Sequence, residues 1–276
     1  MNNGVITSAV SAQDQKAIEH KDEQKEAIRT MRELIKKMQG EIKNALPAVL
    51  TPERFTRMVL SAISVTPELA KCTPESFLGA MMGAAQLGLE PNTNLGLCYL
   101  IPYNNYKKHV KECQLQIGYR GMIDLAYRSG EVVAIQAEVV YENDLFEMEY
   151  GLEPKLRHVP APGERGNPVR VYAVYKTKSG GFGFGSMTMA ECEEFGKKKS
   201  KSFDSGPWQT DFEAMCLKTV LKRVLKTAPM KSDFARGIAQ DETIKTELSD
   251  DMYTVPNEMQ YDDQEAEKSA EVTDNA

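Results

Sequence analysis

Histidine is scarce in this 276-residue chain, limited to His20, His109 and His158, and its five cysteines, Cys72, Cys98, Cys113, Cys192 and Cys216, include no CxxC pair. That scarcity argues against a zinc site, a disulfide framework and a Ser/His/Asp catalytic set, and leaves the thiols as buried or incidental groups. No apolar run approaches the roughly 20 residues that a membrane span requires. The start, Met1 to Gln15, is polar and lacks the apolar segment of a secretory signal, so the expected location is the cytoplasm. A GxxxxGK[ST] loop is also missing, which excludes ATP binding in the manner of a strand-exchange motor. The GGFGFG run at 180–185 does not match GxGxxG and reads as a glycine-rich hairpin strand. Glu138, Glu142 and Asp144 lie near a strand end but form no recognisable motif with a partner lysine, as a metal-dependent nuclease would need. The expectation is a protein without catalytic residues, bound metal or cofactor.

What is present is a chain of 41% hydrophobic and 27% charged residues, enough to bury a sizeable core. Its net charge of -6 conceals a division. From Asp241 to the end, 12 acidic residues face two lysines, a net of -10, so residues 1–240 carry +4. Within 197–236, ten Lys or Arg face four Asp or Glu. A basic folded part with an acidic polar terminus suits a nucleic-acid binder, although a solvated surface has the same signature. The expected organisation is a disordered N-terminus at 1–20, one domain at 21–240, and a disordered acidic tail at 241–276.

Hydrophobic spacing implies an α+β fold. Ile28, Met31, Leu34, Ile35 and Met38 give one amphipathic helix over 22–45, packing on its own core or on a neighbouring subunit. Thr51-Pro52-Glu53 and Thr73-Pro74-Glu75 are helix start signals, the second opening a Gly/Ala-rich central helix that ends at Gly88. Strands are expected at 97–103 and 112–119 around a tip containing Lys107 and Lys108, with a short helix over 120–129 and a strand over 132–141. Residues 150–167 read as a loop rich in Pro and Gly, followed by a hairpin of 169–175 with 182–187. A helix near 188–198, a basic loop and a long helix over about 208–227 complete the domain.

The long helix is the most informative segment. At about 100° per residue, Leu217, Val220, Leu221 and Val224 share one side, while Lys218, Lys222 and Lys226 share the other with Arg223 beside them. Positions four apart rise about 6 Å, close to the phosphate spacing of a strand. No carboxylate on the helix after Glu213 neutralises the row. Upstream, Lys197, Lys198, Lys199 and Lys201 precede Phe203 and Trp208, a mixture that suits phosphates and stacked bases, the latter worth about 1–3 kcal/mol each. Trp208 has an alternative reading as a core anchor. Tyr119 and Arg120 lie at a strand-to-helix junction between Gly118 and Gly121, suited to a phosphate unless Arg120 pairs with Asp124.

Three blocks, LGLEPNTNLGLCYLIPYNN, LQIGYRGMIDLAYRSG and the Trp208 helix with DFEAMCLKTVLKRVLK, closely resemble the RecT family of phage recombinases in order and spacing, over about residues 30–235. The resemblance implies single-stranded DNA binding and annealing of complementary strands without a nucleotide cofactor, by a non-enzymatic homo-oligomer in rings or helical filaments within a bacterial host cell. It also implies a companion 5′ to 3′ exonuclease that generates the strand, and a tail that meets partners such as the host single-strand-binding protein. The candidate DNA contacts are Lys107, Lys108, Lys111, Tyr119, Arg120, Arg128, Lys197, Lys198, Lys199, Lys201, Phe203, Trp208, Gln209, Lys218, Lys222, Arg223 and Lys226, with the basic helix lining a groove that holds the strand and the annealed duplex intermediate. The alternative function is a coating protein without annealing activity.

Overall fold

The computed structural model describes residues 12–200 and 206–229, with 203–204 and parts of 235–256. The fold is α+β, with small antiparallel sheets packed on helices. Helix α1 (Ala12–Lys37) and helix α2 (Gln39–Ala45) replace the single helix expected over 22–45, and α1 begins inside the segment expected to be disordered. The break falls at Met38, two residues before Gly40, the poorest helix former of the segment. Met31 and Ile35 are buried, and Ile28, Leu34 and Met38 pack on the same core, so the stripe is used within the chain. Helix α3 (Pro52–Val65) starts where Pro52 fixes the first turn and the Thr51 hydroxyl accepts from the Arg54 amide at 3.4 Å. A 3₁₀ turn (Pro67–Lys71) leads to α4 (Pro74–Leu87), the central helix, eleven of whose 14 residues are buried and which ends at Gly88 with φ 60°.

Strands β1 (Cys98–Asn105) and β2 (Val110–Ile117) form an antiparallel ribbon that packs on α4, with Tyr99 opposite Gln116. Helix α5 (Tyr119–Arg128) follows directly. Strands β3 (Val132–Tyr141), β6 (Pro168–Thr177) and β7 (Phe182–Thr188) make a three-stranded antiparallel sheet in the order β3-β6-β7. Between β3 and β6, the stretch expected to be a loop carries a further ribbon, β4 (Leu145–Glu149) paired with β5 (Lys155–Val159). Its clamp is Asp144, whose buried carboxylate accepts from Arg165 Nη2 at 2.5 Å, Nε at 3.0 Å, the Ala161 amide at 2.9 Å and the Tyr141 amide at 3.0 Å, and meets His158 Nε2 at 3.0 Å. Asp144 is therefore committed to holding a ribbon.

Helix α6 (Met189–Lys199) has a reciprocal capping box between Thr188 and Glu191. The expected long helix is divided at Asp211 into a short α7 (Pro207–Thr210) and α8 (Phe212–Leu225). Cys216, Val220, Leu221, Val224 and Leu225 bury the inner side of α8, which packs mainly on β6 and also on β7, α5 and β3. All five cysteines are buried.

The chain beyond Asp241 departs from the expectation of an unstructured tail. Thr243 bridges Leu115 of β2 in antiparallel fashion, and the Glu242 amide donates to the Leu115 carbonyl at 3.0 Å. Ile244, Lys245, Met252 and Val255 are buried, and Lys245 Nζ donates to the Val255 carbonyl at 2.5 Å. Three apolar anchors in an otherwise acidic stretch are enough to attach this strap to the body. Residues 257–276 lie outside the described residues. Among the described residues, no helix is long and apolar enough to cross a membrane.

Candidate nucleic-acid interface

The outer side of α8 faces the β1–β2 ribbon and the start of α5 across a trench. Two clefts of about 770 and 490 Å³ make up its length, and they share Gln116, Pro207, Met215 and Lys218. The larger is lined by Asn94, Tyr99, Tyr119 and Arg120 on one side and by Asp211, Glu213 and Leu217 on the other. The smaller collects Lys199, Lys222, Arg223 and Lys226, with Tyr103, Trp208 and Glu242. One end of the trench is thus aromatic and amide-rich, and the other strongly cationic.

Strand alternation explains the aromatic wall, because Tyr99, Ile101 and Tyr103 are two residues apart and project to one face of β1. Gln116 donates from Nε2 to the Tyr103 hydroxyl at 2.9 Å, fixing the rim. At the junction, Gly118 and Gly121 are required by close approach. A Cβ on the first would collide with the Gly96 carbonyl, and on the second with the Leu97 carbonyl. This contact brings the 94–97 loop against the start of α5. Arg120 is exposed, with its Nε 3.3 Å from the Tyr119 hydroxyl to which it donates, while Asp124 pairs with Arg128 at 2.6 Å. The alternative pairing of Arg120 with Asp124 is therefore not formed.

The cation row of α8 is not uniform. Lys218 is only 6% exposed; its Nζ lies 3.3 Å from Asp241 Oδ1 and 2.9 Å from Glu242 Oε1. Lys222 Nζ lies 2.6 Å from Asp241 Oδ2 and 3.4 Å from Glu242 Oε2. Asp241 is buried and also accepts the Ile117 amide at 2.7 Å. Burial opposes the charge on Lys218, but Asp241 and Glu242 outweigh it and hold the ammonium above its ordinary range. Burial pulls the Glu242 carboxyl upward, yet Lys218 and Lys222 bring it down to about 2. The row expected to lack carboxylates is therefore neutralised at its first two members by acids from the strap, which spacing within the helix does not reveal. Arg223 and Lys226 are exposed and form no ion pair among the described residues.

The aromatic candidates also separate. Phe203 and Trp208 are buried at 8% and 4% exposure, with ring centroids 5.9 Å apart, and Trp208 lies 5.8 Å from Phe212. Gly196 has no Cβ because one would stand 2.8 Å from both rings. The core-anchor reading thus replaces base stacking for both residues. Lys197 pairs with Glu193 at 2.6 Å and lies over the Phe203 ring, Lys198 is exposed at the end of α6, and Lys199 reaches the cationic cleft. Gln209 is exposed on α7 without lining either cleft, and Lys201 lies outside the described residues. Lys107 is exposed at the hairpin tip, Lys108 pairs with Glu112 at 3.6 Å, and Lys111 with Glu68, so the trench does not gather these three. Arg128 likewise stays with Asp124. Sequence reading missed Tyr99 and Tyr103, although their period-two spacing with Ile101 was available in β1, and missed Gln116 on β2 as well as Asp241 and Glu242.

These features describe an α+β protein with a basic trench beside an aromatic ribbon. Residues 53–259 match the RecT family, and the chain belongs to that family, in agreement with the DNA recombination and annealing class that its three sequence blocks resemble. It is 41% identical over 207 residues to Protein RecT of Escherichia coli (strain K12), covering 74% of this chain and 77% of that protein. It is 32% identical over 230 residues to the uncharacterised protein YqaK of Bacillus subtilis (strain 168), covering 80% and 77% respectively.

Proposed function

We propose that this protein binds single-stranded DNA along the trench and promotes pairing with a complementary strand without a nucleotide cofactor. The observation that carries this reading is the continuity of the two clefts, which share a wall and set exposed cations beside tyrosines on one path. Lys199, Lys222, Arg223 and Lys226 take backbone phosphates, and Arg120 takes a further one at the far end. Tyr99 and Tyr119 supply ring faces for bases, a sequence-tolerant contact. Holding the strand by its backbone leaves sequence to be read by Watson–Crick pairing with the incoming strand. As the second strand arrives, neutralisation of its phosphates favours the paired product. Copies of the chain aligned in rings or filaments multiply weak contacts along the strand. A 5′ to 3′ exonuclease supplies that strand, and the acidic terminus meets the host single-strand-binding protein. The bacterial cytoplasm is the place of action.

The test follows two complementary labelled oligonucleotides by energy transfer, with Mg²⁺ present and with or without ATP. The expected result is protein-dependent acceleration of pairing that ATP does not alter, with no shortening of either strand and no phosphate release. Binding without acceleration would leave the coating function, and shortened product would replace annealing with nuclease activity.

A further inference from the structure

We propose that the Glu242 carboxylate occupies the position of a DNA phosphate between Lys218 and Lys222, and swings away when a strand enters the trench. The inference rests on the function proposed above and adds a phosphodiester subsite at the inner end of the cationic cleft, with its occupant in the free protein.

Two carboxylates meet the two lysines, but their settings differ. Asp241 is buried, accepts the Ile117 amide at 2.7 Å, and touches both ammonium groups, so it belongs to the floor. Glu242 lines the cleft itself, with a side chain 42% exposed, and approaches the same ammonium groups at 2.9 and 3.4 Å from the solvent side. An oxyanion with two oxygens directed at two lysines is the arrangement that a phosphodiester makes with the same pair.

The local backbone allows an exchange without unfolding. The Glu242 amide donates to the Leu115 carbonyl at 3.0 Å, and Gln114 Nε2 donates to the Glu242 carbonyl at 2.8 Å. The main chain is thereby fixed on β2, and rotation of the side chain alone clears the subsite. Glu242 also adopts φ 65°, a left-handed conformation uncommon for a residue other than Gly, Asn or Asp and retained here against its local preference. With the carboxylate turned out, two lysines face the single charge of Asp241, and an arriving phosphate restores neutrality. Arg223 and Lys226 continue the path outward from that point.

The test uses the full chain and a labelled oligothymidylate, with binding followed by fluorescence anisotropy at fixed salt. Glu242→Gln is expected to tighten binding roughly twofold to fivefold, the range of a partly exposed ion pair that no longer competes. In a Lys222→Ala background the same substitution is expected to have no effect, because the subsite is already broken. Glu247→Gln removes an exposed acid outside the trench and serves as the control for net charge. Unchanged or weaker binding by Glu242→Gln, with thermal unfolding like the parent, overturns the proposal, as does an equal gain with Lys222→Ala present. Should Glu242→Gln fold poorly, Glu242→Asp withdraws the charge by one methylene and is expected to tighten binding to a smaller extent; no gain from it counts against the proposal. A parent chain that binds no oligonucleotide overturns the function itself, whereas a parent that binds alongside an indifferent variant overturns the subsite alone.

Discussion

Lys218 and Lys222 are one turn apart on α8 and chemically identical, yet burial assigns them different work. Lys218 is enclosed with Asp241 and joins α8 to the strap, whereas Lys222, Arg223 and Lys226 line the cationic cleft, the last two exposed. Replacing Lys218 by Met leaves the buried Asp241 with the Ile117 amide and one cation, Lys222. The expected cost, read from urea unfolding, is on the order of 3 kcal/mol. Single-strand affinity at a temperature where both proteins are folded should fall as well, because the phosphate subsite loses one of its two lysines; an unaltered affinity would exclude Lys218 from that subsite. The double substitution Arg223→Ala with Lys226→Ala is expected to separate binding from stability. It should spare stability, weaken binding to all sequences alike, and make the dependence of log K on log salt shallower by about 0.7 for each phosphate that is no longer neutralised. An unaltered slope would remove these two cations from the DNA path.

At the scale of elements, three acid-bearing devices hold irregular segments to regular ones. Arg165 keeps the Asp144 carboxyl far below its ordinary range and so ties β4 and β5 to the main sheet. Despite opposing burial, Lys218 and Lys222 keep Glu242 at about 2 instead of 4.5, and Lys111 with Lys71 hold Glu68 at about 2. In each case the folded carboxyl binds its proton less readily than the unfolded one. The resulting stability is therefore present above about pH 4.5 and lost as pH falls toward 2 for the two glutamates, and at still lower pH for Asp144. Thermal unfolding between pH 7 and pH 2 should trace that decline. Asp144→Asn should lower the midpoint at neutral pH and flatten the acid side, and a parallel curve for the variant would assign the acid sensitivity elsewhere. The β4–β5 ribbon also marks the limit of sequence reading. Its clamp joins Asp144 to His158, Ala161 and Arg165 across a stretch whose Pro and Gly content signals a loop. By contrast, β3 was legible to the residue, since Val132–Tyr141 carries a long strand-forming run and faces the helices that bury it. The basic face of α8 was legible in part from its spacing, since Lys222, Arg223 and Lys226 reach the cleft while Lys218 is buried. What neutralises that face was not, because Asp241 and Glu242 approach from 19 to 24 residues further along the chain.

At the scale of the whole molecule, acidic charge beyond residue 240 has more than one relation to the trench. Asp241 is fixed in the floor, Glu242 lines the inner end of the cationic cleft, and by sequence residues 257–276 contribute seven acids and one lysine, a net of -6. That last value equals the net charge of the entire chain, so truncation after Pro256 produces a protein of net charge zero. Like charges that act through solvent repel a polyanion with a reach set by screening, the Debye length being about 30 Å at 0.01 M salt and about 3 Å at 1 M. The truncated chain is therefore expected to bind oligothymidylate more tightly than the parent at low salt, and the two isotherms should converge as salt approaches 1 M. Glu242→Gln should behave differently, because a partly buried contact is screened less and its advantage persists to higher salt. Anisotropy titrations of the two variants across one salt series separate the mechanisms. If the gain from truncation survives high salt, residues 257–276 compete for the cations by direct contact, and the distinction between a screened repulsion and a local occupant fails.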